Sequence, residues 1–318
     1  MNTWKSEIKL KKKPKLISIA TDCSGIEAPL HSLNQLGIKY THLFSCENDK
    51  KCANIIKKYH KPKHFFSDIF GRDLSIIKEP LDIYVCGFPC QSFSIAGNQN
   101  GFRDPRGTVF FECFKTIQTL EPKVFILENV KNLKSHEKGA TFKVILEYLD
   151  SLQKYNIYHQ VFNTKDYGIP QNRPRLYIIG ILKNLDNGFE FPSTISTNPI
   201  SNFIEKGLPH STLTDTQQYI LEQRMKNKDP NSHYIVNLGV SRNGGFGSAM
   251  EEMSPCLLAS HRYYYSTKVK RFLTVKEWMY LQGFDECKEE YTYKHFGNTM
   301  SVNVLSFLFV NIFNKIDL

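Results

Sequence analysis

The chain has no apolar run approaching the roughly 20 residues of a membrane-spanning helix, so no such helix is expected. Its first residues, MNTWKSEIKLKKKPK, lack the apolar centre of a secretory signal, which points to a cytoplasmic rather than a secreted protein. The Lys-rich stretch at 9–15 reads as a solvated tail ahead of a first strand. Cysteine is present eight times but never as C-x-x-C and never with clustered histidines, which argues against zinc; no metal is expected. In an intracellular chain these thiols are expected to be reduced. Arginine is scarce: nine of the 41 basic residues, so most of the positive charge suits non-directional attraction to phosphate. There is no internal repeat and no low-complexity tract.

What remains is an ordinary globular composition, with 41% hydrophobic and 23% charged residues, long enough at 318 residues for one large domain and a small one. The net charge of +10 makes a polyanionic partner plausible. Over the first 180 residues, strand-like runs alternate with amphipathic ones. Strands are expected at 16–20, 41–46, 64–66, 81–86, 124–127, 157–162 and 176–182. Helices are expected at 28–36, 49–59, 107–120 and 139–152. This alternation predicts an α/β fold with a mostly parallel, doubly wound sheet.

After residue 182 the texture changes to Asn, Ser, Thr, Gly and Pro, with one helical piece at 214–225. Residues 183–260 are therefore read as a smaller, loop-rich domain, with six Lys/Arg against eight Asp/Glu. Residues 14–182 form the main domain. Residues 261–318, ending in an apolar run at 302–312, return to complete it.

Several segments carry chemistry. Gly87-Phe88-Pro89-Cys90-Gln91-Ser92-Phe93-Ser94 places a cysteine directly after an apolar strand, where α/β folds display reactive groups. Proline holds its own φ and biases Phe88 towards extended backbone, so Cys90 sits on a stiff approach. As a thiolate it is a candidate nucleophile; the plain alternative is a buried structural cysteine. The turn Thr21-Asp22-Cys23-Ser24-Gly25-Ile26-Glu27-Ala28, followed by Glu47 after the second strand, is the layout that holds a nucleoside-bearing cofactor. Glu47 would accept ribose hydroxyls. Asp68 is a further carboxylate on that edge, or a helix N-cap. Glu128, in Glu128-Asn129-Val130, should emerge on the same edge as Cys90 and serve as an acid. Gln171-Asn172-Arg173-Pro174-Arg175 adds two guanidinium groups ahead of another strand.

Taken together, GFPCQSFSIAGNQNGFRDPRG, ENV, the Q-x-R-x-R of Gln171, Arg173 and Arg175, RFLTVKEWMYLQGF and HFGNTMSVNV resemble, in order and over nearly the whole chain, the DNA cytosine-5 methyltransferases of prokaryotic and viral type. The resemblance implies a Rossmann-like methyltransferase sheet with a target-recognition domain at 183–260. It implies S-adenosylmethionine as cofactor and double-stranded DNA as partner. It further implies a monomer that lies where host or viral DNA resides. A cognate restriction endonuclease, where one exists, is outside this chain.

By the same resemblance, Cys90 adds to carbon 6 of a cytosine, and the resulting enamine makes carbon 5 nucleophilic enough to accept a methyl group. Glu128 protonates or hydrogen-bonds ring nitrogen 3, Arg175 binds the base oxygen, and Arg173 helps to hold the site. The base must be flipped from the duplex, and the 94–107 loop closes over it. The donor pocket would draw on Cys23, Ser24, Gly25, Ile26, Glu47 and Asn48. Asp68, Ile69, Pro89, Val109, Asn298 and Thr299 would complete it. Gln91, Ser94, Arg106 and Arg242 are assigned to DNA, Arg242 lying near the glycines at 244, 245 and 247.

The turn departs from the family pattern F-x-G-x-G-G. Cys23 stands in place of the aromatic, Glu27 and Ala28 in place of glycines, and Asn48 where an aromatic is common. Weaker donor binding follows if nothing compensates, about 1 kcal/mol per lost contact. Glu27 would disfavour the donor's carboxylate or help to hold its positive groups. Two rivals remain. One is a tRNA cytosine-5 methyltransferase, whose subfamily resembles Pro-Pro-Cys-Gln with a Cys-Phe-Thr signature not found here. The other is a catalytically silent DNA-binding homologue.

Overall fold

In the computed structural model, residues 3–89, 108–239, 248–316 and 318 are described. The chain folds as two compact units, one of residues 8–162, 174–193 and 305–318, the other of residues 1–7, 163–173 and 194–304.

The first unit opens with β1 (Ile17–Asp22), α1 (Ala28–Gln35), β2 (Tyr40–Cys46), α2 (Lys50–Ile55) and β3 (His64–Phe66). It continues through β4 (Ile83–Cys86), α3 (Val109–Leu120), β5 (Val124–Val130), α4 (Ala140–Asp150) and β6 (Tyr155–Asn163). After β7 (Gln171–Asn172), which belongs to the other unit, β8 (Pro174–Leu182) returns to it. The seven strands lie in the order β3-β2-β1-β4-β5-β8-β6. Neighbours from β3 to β5 are parallel, while β8 runs antiparallel to β5. The order reverses beside β1, which creates the crevice at which α/β sheets bind ligands.

The sheet is held by near-continuous apolar strands, as expected when both faces are covered. Ile83, Tyr84, Val85 and Cys86 are all buried, and so are Val124 to Leu127. The helices bury faces at helical spacing: Val109, Phe110, Cys113, Thr116 and Ile117 on α3, and Thr141, Phe142, Ile145 and Leu149 on α4. Phe125 and Gly180 are partners in the β5–β8 register. A Cβ on Gly180 would fall 2.1 Å from the Phe125 ring, so only glycine lets that ring lie across the strand. The helix expected over 49–59 is α2 for one and a half turns and then widens into a π-type stretch, Ile56–His60.

In the second unit come α5 (Asp215–Met225), β9 (Tyr234–Asn237), β10 (Ala249–Glu251), β11 (Ser254–Pro255), β12 (Tyr264–Ser266) and β13 (Arg271–Phe272). Then follow α6 (Val275–Leu281), α7 (Tyr293–Asn298) and the first residues of α8 (Val302–Lys315). A four-stranded sheet is ordered β10-β9-β12-β13, with antiparallel neighbours, and β11 pairs with β7. Ile220, Tyr234, Val236, Leu238 and Tyr265 form an apolar cluster of this unit. Capping boxes start α5 (Thr214, Gln217) and α6 (Thr274, Glu277). Glu277 also accepts two bonds from the buried Arg271 guanidinium, at 2.6 and 2.9 Å.

These units do not follow the cuts drawn at 182 and 260. Residues 183–193 go with the large sheet, and 261–304 fold with 194–260, because β12 and β13 complete the antiparallel sheet that β9 and β10 begin. Only from residue 305 does the chain return to the first unit. Among the described residues no helix is long and apolar enough to cross a membrane.

Candidate active site

The parallel registers align Phe66, Cys46, Asp22, Cys86 and Leu127 in one row across β3, β2, β1, β4 and β5. Each segment singled out in this unit leaves its strand just beyond that row: Asp68 and Ile69 after β3, Glu47 and Asn48 after β2, and Cys23 to Ile26 after β1. Phe88 and Pro89 follow β4 in the same way, and Glu128 is the next residue of β5. The sheet thereby gathers these residues along one C-terminal edge.

At the β1 turn, the Ser24 N–H donates to the Cys46 carbonyl at 3.2 Å, fastening the turn to β2. Gly25 has φ 55°, a conformation that favours glycine, and a Cβ there would meet no described residue within 4 Å. Its N–H donates to Glu47 Oε2 at 2.7 Å, and the Asp49 N–H donates to Glu47 Oε1 at 2.8 Å. Burial holds the Glu47 carboxyl above its ordinary range, against these backbone bonds. Ile69, Phe88 and Val109 are buried in one apolar cluster, against which Cys23 and Phe66 pack. Asp68 is exposed and accepts the Phe70 N–H at 3.0 Å in a local turn, so it is not a helix N-cap. Asn48 is exposed. Glu27, which charge alone would place in solvent, is fully buried.

Glu128 and Arg175 meet because β5 and β8 are antiparallel, with Val130 opposite Arg175. Glu128 and Val130 share a face, so the arginine reaches Glu128 diagonally. Arg175 Nε lies 3.2 Å from Glu128 Oε1, and the two side chains remain 15% and 12% exposed. Arg175 Nη1 donates to the Pro174 carbonyl at 2.9 Å.

Between Glu128 and the Phe88-Pro89 segment stands a residue that motif reading passed over. Asn129 is 1% exposed, and its Nδ2 donates to the Phe88 carbonyl at 3.2 Å, two residues before Cys90. Its only sequence signal was its place inside ENV. Asn129→Ala is expected to lower stability by about 1–3 kcal/mol, the cost of leaving a buried carbonyl unpaired. Urea unfolding checks this, and an unchanged midpoint would count against it.

Arg173 belongs to the second unit and is 2% exposed. Its guanidinium donates to the carbonyls of Leu257 (2.9 Å), Gly297 (3.1 Å) and Thr299 (2.8 Å) and contacts Cys256 Sγ at 3.5 Å. It acts as a clasp on the backbone of 256–257 and 297–299. In the same unit Thr299 is buried and Asn298, the last residue of α7, is exposed. Cys90, Gln91, Ser94, Arg106 and Arg242 lie outside the described residues. Of the described thiols, Cys86 and Cys113 are 3.2 Å apart in the core, and burial pushes the Cys86 thiol well up, leaving it inert at neutral pH.

Residues 15–314 match the family C-5 cytosine-specific DNA methylase. The chain is similar to the Type II methyltransferase M.NgoBI of Neisseria gonorrhoeae, with 37% identity covering 83% of this chain and 84% of the relative. It is also similar to the Type II methyltransferase M.HaeII of Haemophilus aegyptius, at 35% identity over 87% of each chain. Among solved structures, the Entamoeba histolytica methyltransferase EhMeth superposes with a TM-score of 0.67 at 20% identity, covering 94% of this chain and 98% of that one. The S. pombe Dnmt2 methyltransferase superposes with a TM-score of 0.63 at 17% identity, covering 93% and 98%. At such identities these two structures speak for the fold alone.

Proposed function

The chain belongs to the C-5 cytosine-specific DNA methylase family, and from that membership we propose how its residues divide the reaction. The protein is a DNA cytosine-5 methyltransferase. Cys90 is assigned as the nucleophile that adds to carbon 6 of the target cytosine. Glu128 supplies a proton or hydrogen bond at ring nitrogen 3, so the electron pair displaced by the thiolate is accommodated in the ring. Arg175 orients Glu128 and faces the base oxygen, and Arg173 holds its own unit together. Loss of the carbon 5 proton to a base or water, after methylation, expels the thiolate and restores Cys90.

The methyl donor is assigned as S-adenosylmethionine, and the residues present fit it. Among the described residues Gly25 leaves open space, and the Glu47 carboxylate, held by two backbone N–H groups, keeps acceptor capacity for ribose hydroxyls. Cys23, Ile69 and Val109 offer an apolar wall, and Asp68 an exposed carboxylate. When bound, the donor supplies an electrophilic methyl group on a sulfonium. Ser24, Ile26, Asn48, Pro89, Asn298 and Thr299 complete the assignment.

Double-stranded DNA is the proposed partner, and the net charge of +10 favours it. Gln91, Ser94, Arg106 and Arg242 are assigned to DNA from sequence, and target recognition to the 183–260 region. The protein is proposed to act as a monomer in the cytoplasm, or wherever the host or viral DNA resides. The observation that carries the reading is the common strand edge, where the Phe88-Pro89 approach to Cys90, Glu128, Gly25 and Glu47 all emerge.

A pool of duplexes with 5-fluorocytosine in many sequence contexts tests it, since fluorine cannot leave as a proton. The expected result is a denaturant-resistant protein–DNA adduct that requires S-adenosylmethionine and is absent from Cys90→Ser. No adduct in any context would sink the mechanism. Methyl transfer to tRNA but not to duplex DNA would overturn the substrate assignment.

A further inference from the structure

Glu27 is the residue of the β1–α1 turn whose presence the assigned chemistry does not explain. It stands immediately before α1 with φ 62° and ψ 47°, left-handed backbone that favours glycine, yet it carries a long acidic side chain. That side chain is fully buried and does not cap the helix. It runs back to the strands instead. Oε1 accepts from Thr21 Oγ1 of β1 at 2.9 Å and from Ser45 Oγ of β2 at 2.6 Å. Ser24 Oγ lies 2.7 Å from Thr21 Oγ1, so the same network reaches the donor-assigned residues. The other oxygen, Oε2, is buried with no hydrogen-bond partner among the described residues.

We propose that Glu27 is a positioning residue of the methyl-donor cradle, its buried carboxyl clamping the Cys23–Ile26 turn onto β1 and β2. The inference rests on the donor reading above. The clamp works in the uncharged form. Burial is the largest influence and lifts the carboxyl to about 8, above the opposing hydrogen bonds from Ser45 and Thr21. His42 on β2 is 3.7 Å from Oε1, but its own burial lowers it to about 4, so the contact joins two neutral groups through Ser45 rather than forming an ion pair. Among the described residues, Tyr40, also on β2, and Glu47 beyond it are further titratable groups that interact with Glu27. An uncharged Glu27 removes the conflict with the donor's carboxylate that its sequence position suggests.

For folding, a carboxyl raised from 4.5 to about 8 contributes fully below 4.5, and that contribution is lost as pH climbs to about 8. Glu27→Gln keeps the shape and the acceptor but cannot ionise. The thermal midpoints of apo wild type and Glu27→Gln should lie closest below pH 4.5 and separate as pH rises, with the variant the higher above pH 8. His42, Tyr40 and Glu47 are common to both proteins, so the difference reports Glu27 together with its coupling to Glu47 and Tyr40. Calorimetry with S-adenosylhomocysteine supplies the second reading. Wild type should lose about tenfold in affinity between pH 6.5 and pH 9, one unit above the carboxyl's midpoint, while Glu27→Gln stays flat. Glu27→Ala should bind at least tenfold more weakly than Glu27→Gln at pH 6.5.

Three results would overturn the clamp: Glu27→Gln as weak as Glu27→Ala, equal affinity of Glu27→Ala and wild type, or midpoints that do not diverge with pH. Wild type that binds no S-adenosylhomocysteine at any pH would instead defeat the donor reading. The divergence of the apo midpoints would still decide the state of Glu27.

Discussion

Glu128→Gln is expected to slow single-turnover methyl transfer by about 10²–10⁴-fold, the usual worth of a positioned acid. Duplex binding and thermal midpoint should change little. Glutamine preserves the length of the side chain and one acceptor for Arg175, which sits 3.2 Å from the carboxylate. What it lacks is a proton to place on ring nitrogen 3; its amide can donate only a neutral hydrogen bond, so the displaced electron pair is less well stabilised when the thiolate adds. The two carboxyl functions, pairing with Arg175 and acting on the base, can be separated. Arg175→Ala should also slow transfer, by removing the group that aims Glu128. A transfer rate within tenfold of wild type for Glu128→Gln would remove the residue from the acid role. Tritiated methyl transfer under enzyme excess measures this without interference from product release.

That Glu128 and Arg175 belong to one site was legible in the sequence only through the order of ENV and Q-x-R-x-R. Nothing in their separation of 47 positions announces contact; the antiparallel β5–β8 register creates it. The parallel half of the sheet was readable directly, because strands buried on both faces appear as continuous apolar runs. The expected 64–66 strand coincides with β3, and the others begin or end within two or three residues of their observed bounds. The small antiparallel sheet was not readable. Its strands are two to four residues long, too short for alternation to register, and two of them lie beyond residue 260, across an expected boundary. Glu27 was not legible for a different reason. In sequence it is a charged side chain set against the donor's carboxylate or its positive groups, and its burial depends on hydroxyls that the fold brings from two neighbouring strands, Thr21 and Ser45 among them.

The same blindness hid the second large effect. Arg72→Met is expected to destabilise the fold by about 3–5 kcal/mol, as breaking a buried ion pair does. Arg72 is 3% exposed and forms a two-pronged pair with fully buried Asp22, the last residue of β1. Its Nη2 also donates to Thr116 Oγ1 of α3 at 2.6 Å, and its guanidinium lies 5.3 and 5.4 Å from the Phe44 and Phe66 ring centres. Tyr84 of β4 donates to Asp22 Oδ2 at 2.6 Å, and burial followed by the Asp22 charge pushes that phenol well up, so it stays a donor. Removing Arg72 leaves the Asp22 carboxylate buried with that hydroxyl as its main support. Asp22→Leu combined with Arg72→Met should therefore be more stable than Arg72→Met alone, because the double variant buries no uncompensated charge. Urea unfolding of the single and double variants measures the coupling; a double variant no more stable than Arg72→Met would refute it. The pair also has a consequence for the site. Arg72 fastens the segment after β3, which carries Asp68 and Ile69, to the strand that leads into Cys23 and Gly25. Loosening it should weaken donor-analogue binding even in the double variant, where stability is largely regained. A double variant with wild-type affinity would confine Arg72 to folding.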